Sequence, residues 1–112
     1  MLYRSLCSQL ISLFPEGDAP GPVAAIPGNL EEIGQFSAQV LTERPVRPGC
    51  KVRINCKSRE LSGVVESCSL NEGLGFFVEI RLDRKSRWSS EWFTPEHLFD
   101  LGQREVRHAK AS

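Results

Sequence analysis

Apolar residues near the start of the chain recur every three or four positions. Leu2, Leu6, Leu10, Leu13 and Phe14 follow this spacing, which predicts an amphipathic helix over residues 1–14. Pro15 and Gly17 stop it. Residues 15–28 hold four prolines and three glycines. They predict a linker with one short edge strand at Val23–Ile26. From Gly34 the period changes to two. Phe36, Ala38 and Val40 alternate with Ser37, Gln39 and Leu41, the pattern of a strand. Pro45, Pro48 and Gly49 mark a turn. Val52, Ile54 and Cys56 then alternate with Lys51, Arg53, Asn55 and Lys57, which puts an apolar set inward and a basic set outward. A further strand is expected at Leu61–Cys68, followed by a loop around Gly73 and Gly75. In the last strand Phe76, Val78, Ile80 and Leu82 face in, and Phe77, Glu79 and Arg81 face out. Thr94 and Pro95 open a short C-terminal helix, with Leu98, Phe99 and Leu101 on its apolar side and Gly102 at its end. Residues 102–112 are a polar tail.

These elements predict a mainly β fold: a small antiparallel β-barrel with an N-terminal amphipathic helix and a short C-terminal helix. The barrel domain is expected over residues 29–101. Val52, Ile54, Cys56, Val64, Val78, Ile80 and Leu82 should share one core, with Lys51, Arg53 and Lys57 exposed.

At 112 residues and 12.5 kDa the chain suffices for one hydrophobic core. No apolar run approaches the roughly 20 residues of a membrane-spanning helix. Net charge is zero, but its distribution is uneven. Residues 1–43 hold one base and five acids, and residues 44–112 hold thirteen bases and nine acids. This basic bias permits an anionic ligand but is weak for a general nucleic-acid binder. Cys7, Cys50, Cys56 and Cys68 show no CxxC spacing, and His97 and His108 are the two histidines. A metal frame is absent from this pattern, and reduced thiols packed as small apolar groups are expected. Arg4 before LCSQLISLF has some likeness to an export signal. Ser5, Ser8, Gln9 and Ser12 interrupt the apolar run, however, and Arg4 occupies the position where a lipobox needs an apolar residue. A cytoplasmic location is expected.

No nucleophile elbow, Walker, HExxH or GxGxxG pattern occurs. Cys56 falls on the apolar side of its strand, where a thiol is inert, and His97 follows Glu96 in a capped turn. The chain is therefore not expected to be an enzyme. Arg44–Arg59 contains six bases (Arg44, Arg47, Lys51, Arg53, Lys57 and Arg59) and no acid. A solvated outer sheet face, kept clear of edge pairing by lysine, is favoured over a surface for phosphate or acidic groups. Trp88 and Trp92, with Phe93, are expected to close one barrel end. The competing reading is a stacking or partner-binding surface that includes Arg81, Arg84, Lys85 and Arg87.

The order of three segments carries a family resemblance. GNLEEIGQFSAQVLTERPVRPGCKVRI, LSGVVESC and GLGFFVEIRL together resemble the later two-thirds of a PilZ domain, over roughly residues 23–82. Asn29 and Gly34 match the family's [D/N]-x-S-x-x-G motif, and Glu31 stands at the serine. The resemblance implies a PilZ-like split β-barrel, and PilZ domains typically bind cyclic di-GMP. The family's R-x-x-x-R motif, which wraps the nucleotide, has no counterpart here, since no two arginines are four apart. Glu31 would also repel a phosphate diester. The resemblance thus implies a degenerate domain that works through contacts with an unknown protein partner, as monomer or weak dimer, with no cofactor. Two alternatives remain: a cyclic di-GMP receptor using non-standard arginines such as Arg44 and Arg47, and a small barrel binding nucleic acid through Lys51, Arg53 and Lys57. The family's first strand would fall in the N-terminal segment, where a helix in its place would leave an open barrel edge.

Overall fold

The period-two segments pair so that each strand finds a partner on both sides. A computed structural model of the chain describes residues 4–16, 24–57, 59–89 and 94–97. Six strands are present among them: β1 (Ser5–Pro15), β2 (Ile26–Ile33), β3 (Ser37–Thr42), β4 (Lys51–Cys56), β5 (Arg59–Asn71) and β6 (Gly75–Leu82). A 3-10 turn follows at Arg84–Ser86. All pairings are antiparallel, and the ring runs β1-β2-β3-β6-β5-β4 and back to β1. The chain is mainly β, as the alternation predicts, and the barrel is closed rather than split. Among the described residues no helix is long and apolar enough to cross a membrane.

The expected N-terminal helix is instead β1. A helix would gather Leu6, Leu10 and Leu13 on one face. In β1, Leu13 is 0% exposed and Leu10 is 79% exposed. Gln9, Ile11 and Leu13 point inward at a period of two, and the register shifts between Leu6 and Gln9. That bulge disrupts the alternation that would have marked a strand. Tertiary pairing decides the outcome: β1 bonds to β2 along most of its length and to β4 from Ser12 to Pro15, so its backbone groups complete the wall. No barrel edge is left for a helix to cover. The linker boundaries change accordingly, because Pro15 belongs to β1 and residues 26–28 to β2, an interior strand rather than an edge. The barrel starts at Ser5, not at Asn29. At the other end, Glu96 and His97 form a turn; residues 98–101 of the expected C-terminal helix and the tail 102–112 lie outside the described residues.

Inward side chains from all six strands form one core. Leu13, Leu30, Ile33, Val40, Val52, Ile54, Leu61, Val65, Val78 and Ile80 are each at most 1% exposed. Burying each such side chain stabilises the fold by about 1.5–3 kcal/mol. Cys56 and Leu82 join them as predicted, but Val64 does not. Leu61, Gly63 and Val65 take the inward positions of β5, and Val64 faces out. The run Gly63-Val64-Val65 has no polar residue to set its phase, so pairing with β4 and β6 sets it. The barrel ends are plugged by loops. Val46, in the β3–β4 loop, is 4% exposed, and its N–H donates to Cys68 Sγ at 3.5 Å. Trp88 is 8% exposed at the opposite end, where its N–H donates to the Gln35 carbonyl at 3.2 Å.

Candidate functional site

Two outer faces of the barrel collect the residues singled out in the sequence. The first spans β1, β2, β3 and β6. Antiparallel register places Leu10, Asn29, Leu41 and Phe77 in one cross-strand row, and Leu6, Glu32, Gln39 and Glu79 in the next. Glu31 lies between the rows, where β2 shifts register against β3. The Asn29 amide donates to the Glu31 carboxylate, and Ser8 Oγ donates to Asn29 Oδ1 at 3.4 Å. Gly34 is buried just beyond β2, and its N–H closes the turn onto the Ser37 carbonyl at 2.8 Å. In the second row Arg4 reaches across the face. It grips Glu79 with two nitrogens, at 2.6 and 3.3 Å, and approaches Glu32 at 3.4 Å. Gln39 Nε2 donates to Glu79 Oε1 at 2.9 Å. The hydrogen bond that Arg4 donates to Glu79, helped by the charges of Glu79 and Glu32 and opposed by burial, raises the Arg4 pKa above its ordinary value. The face is thus acidic, with exposed leucines set into it: Leu6 is 43% exposed and Leu10 is 79% exposed.

The second face lies over β4, β5 and the end of β6. A groove of about 450 Å³ runs there. It brings Lys51 and Arg53 together with Lys85, and opposite them Glu16, Glu60 and Asp83. Three bases therefore meet three acids, and the basic strand does not produce a basic groove. Arg53 is half-buried; its guanidinium lies 5.1 Å from the Phe14 ring centroid and 3.7 Å from Glu60. Lys57 is paired with Glu96 at 3.2 Å. Arg44 and Arg47 are exposed on the β3–β4 loop. Arg81 is exposed on β6, in the same cross-strand row as Val64 and Lys51. Trp88 is a barrel plug, and Trp92 lies outside the described residues.

The groove also holds a polar triplet that sequence reasoning missed. Ser62 Oγ donates to Asp83 Oδ2 at 2.9 Å, and the Ser62 N–H donates to Ser86 Oγ at 2.9 Å. The two hydroxyls are 3.1 Å apart, so Ser86 supplies the proton between them. The triplet ties the 3-10 turn to β5. Ser62 is more than twenty positions from both Asp83 and Ser86 in the chain, and isolated serines carry no signal of such a contact. Ser86 is 5% exposed, and His97 is exposed on its turn.

The cysteines are free thiols. Burial pushes Cys7 up to about 12, with smaller contributions from Cys56, Glu31 and Glu32. Burial likewise pushes Cys56 up to about 11, against the opposing charge of Lys57. Both are held in the unreactive thiol form. Among the described residues no group of three or more His, Cys, Asp or Glu side chains could hold a metal ion. No known family, curated protein or solved structure matches the chain.

Proposed function

We propose that the chain is a degenerate, PilZ-like bacterial module, cytoplasmic and non-catalytic, that works by contacting another protein and does not bind cyclic di-GMP. The observation that carries this reading is the make-up of the β1–β2–β3 face. The Glu31 carboxylate stands at the motif position of a nucleotide-binding serine and accepts from Asn29, whose cross-strand neighbour Leu10 is 79% exposed. A unit negative charge 4 Å from a phosphate costs about 4 kcal/mol at an effective dielectric of 20. That is about half the roughly 8 kcal/mol of a micromolar binder. Apolar side chains in a polar surround suit a protein contact instead.

The alternatives have less support. Arg44 and Arg47 are exposed on the β3–β4 loop but are three apart, not four as in the family's arginine motif. Two of the three bases that would contact nucleic acid, Arg53 and Lys57, are ion-paired within the chain. A photo-crosslinking amino acid at Leu10, compared with one at the exposed Glu60, tests the reading in the native host. Protein adducts are expected at Leu10 and should be competed away by unlabelled protein. Equal capture at both positions, or nucleic-acid adducts at Glu60 alone, would reject it.

A further inference from the structure

The strand order turns an asymmetry along the chain into one in space. In the ring β1-β2-β3-β6-β5-β4 the first three strands are adjacent, and so are the last three. Among the described residues, 4–43 hold one base and four acids, whereas 44–89 hold ten bases and five acids. Within the strands themselves the contrast is smaller: β1–β3 carry two acids (Glu31 and Glu32) and no base, and β4–β6 carry four bases (Lys51, Arg53, Arg59 and Arg81) and three acids (Glu60, Glu66 and Glu79).

Each half also presents apolar surface beside its charges. On the acidic half, Glu32 is the cross-strand neighbour of the exposed Leu6, and Asn29, which donates to Glu31, is that of the exposed Leu10. On the basic half, Lys51 and Arg81 are the cross-strand neighbours of the half-buried, outward Val64. Both cations are exposed, and neither has an ion-pair partner among the described residues. We propose that the acidic, leucine-bearing face of one copy docks on the Lys51–Val64–Arg81 face of a second copy. The proposal rests on the interaction-module reading above and names the partner. A second copy is singled out because one molecule carries both complementary surfaces, and its zero net charge at pH 7 sets no long-range repulsion against assembly.

The two faces are different, so the contact is heterologous: copies add head to tail, with a fixed number only if the ring closes. Few side chains form its apolar centre, short of the roughly 800 Å² per partner in a standard interface. Association should therefore be weak and governed by charge. At 1 M salt the screening length falls to about 3 Å, so the contact should weaken at least about tenfold relative to low salt.

Sedimentation of the full chain, from about 10 to 300 μM in low and in 1 M salt, tests this. At low salt the average mass should rise with concentration, and at 1 M salt it should return to that of the monomer. E31K/E32K and K51E/R81E should each stay monomeric at low salt. Their equal mixture should associate again, which also shows that both variants are folded. A monomer at every concentration in low salt would overturn the proposal, as would association that persists in both variants. If the chain is monomeric while a crosslinker at Leu10 still captures a different protein, self-docking is wrong and the module reading survives.

Discussion

Leu13→Ala and Leu10→Ala separate a strand from a helix at the N-terminus. Leu13 is 0% exposed and sits between Ile26 of β2 and Ile54 of β4 in the register. Truncating such a leucine removes its transfer free energy and leaves a cavity, at a cost of about 2–5 kcal/mol. A middle value near 3 kcal/mol is a large share of the roughly 5–15 kcal/mol that holds a domain together. At about 4–8 °C per kcal/mol for a domain of this size, Tm should fall by about 12–24 °C. Leu10 keeps 79% of its surface in water. Its truncation forfeits little burial and some strand preference, below about 1 kcal/mol in all. Urea unfolding followed by far-UV circular dichroism measures both variants, and an unchanged m-value shows that the midpoint shift reports stability. Equal losses for the two variants would refute the strand, because only a helical stripe buries both leucines alike.

Three more outcomes follow from the packing and the thiols. Gly63→Ala should lower stability by about 2 kcal/mol or more, since a Cβ there would lie 2.2 Å from the Arg81 carbonyl oxygen and force β5 away from β6; a melting temperature within about 3 °C of wild type would contradict that spacing. Ser62→Ala should cost about 1–2 kcal/mol by chemical denaturation, because it leaves Asp83 without its hydroxyl donor; a neutral effect would mean that the triplet does not tie the 3-10 turn down. Stability should fall as pH rises from about 9, where unfolded thiols begin to ionise, to about 11. The sign follows from linkage: above pH 9 the unfolded chain binds fewer protons than the native one, which keeps Cys7 and Cys56 protonated. A Cys7→Ser/Cys56→Ser variant should show a flatter decline over that window in urea melts, and an equally steep one would assign the effect to other groups.

How much of this was readable in advance depended on whether local pattern and tertiary demand agreed. In β4, Val52, Ile54 and Cys56 alternate strictly with polar residues, and all three are buried. In β6, Val78, Ile80 and Leu82 behave the same way. The pattern misled in β1, where the bulge near Cys7 and Ser8 breaks the alternation and five apolar residues happen to fit a helical spacing. It also misled in β5, where adjacent valines leave two phases open and Val64, expected in the core, faces out. The outer faces were harder to read. The six bases of Arg44–Arg59 suggested a cationic surface, yet Glu60 just past the run, and Glu16, Asp83 and Glu96 from other parts of the chain, offset it. Arg4 and Glu79 pair across 75 positions, a contact that exists only because β6 sits beside β3 in the ring.

A calorimetric titration of the full chain with cyclic di-GMP tests the central claim most directly. Glu31 beside Asn29 on the acidic face, and the lack of two arginines four apart, predict no saturable heat for the wild-type chain. Glu31→Ser should not create binding by itself, because it removes the repulsion without supplying an arginine clamp. Stoichiometric binding by the wild-type chain with a dissociation constant below about 10 μM, equivalent to roughly 7 kcal/mol, would contradict the account.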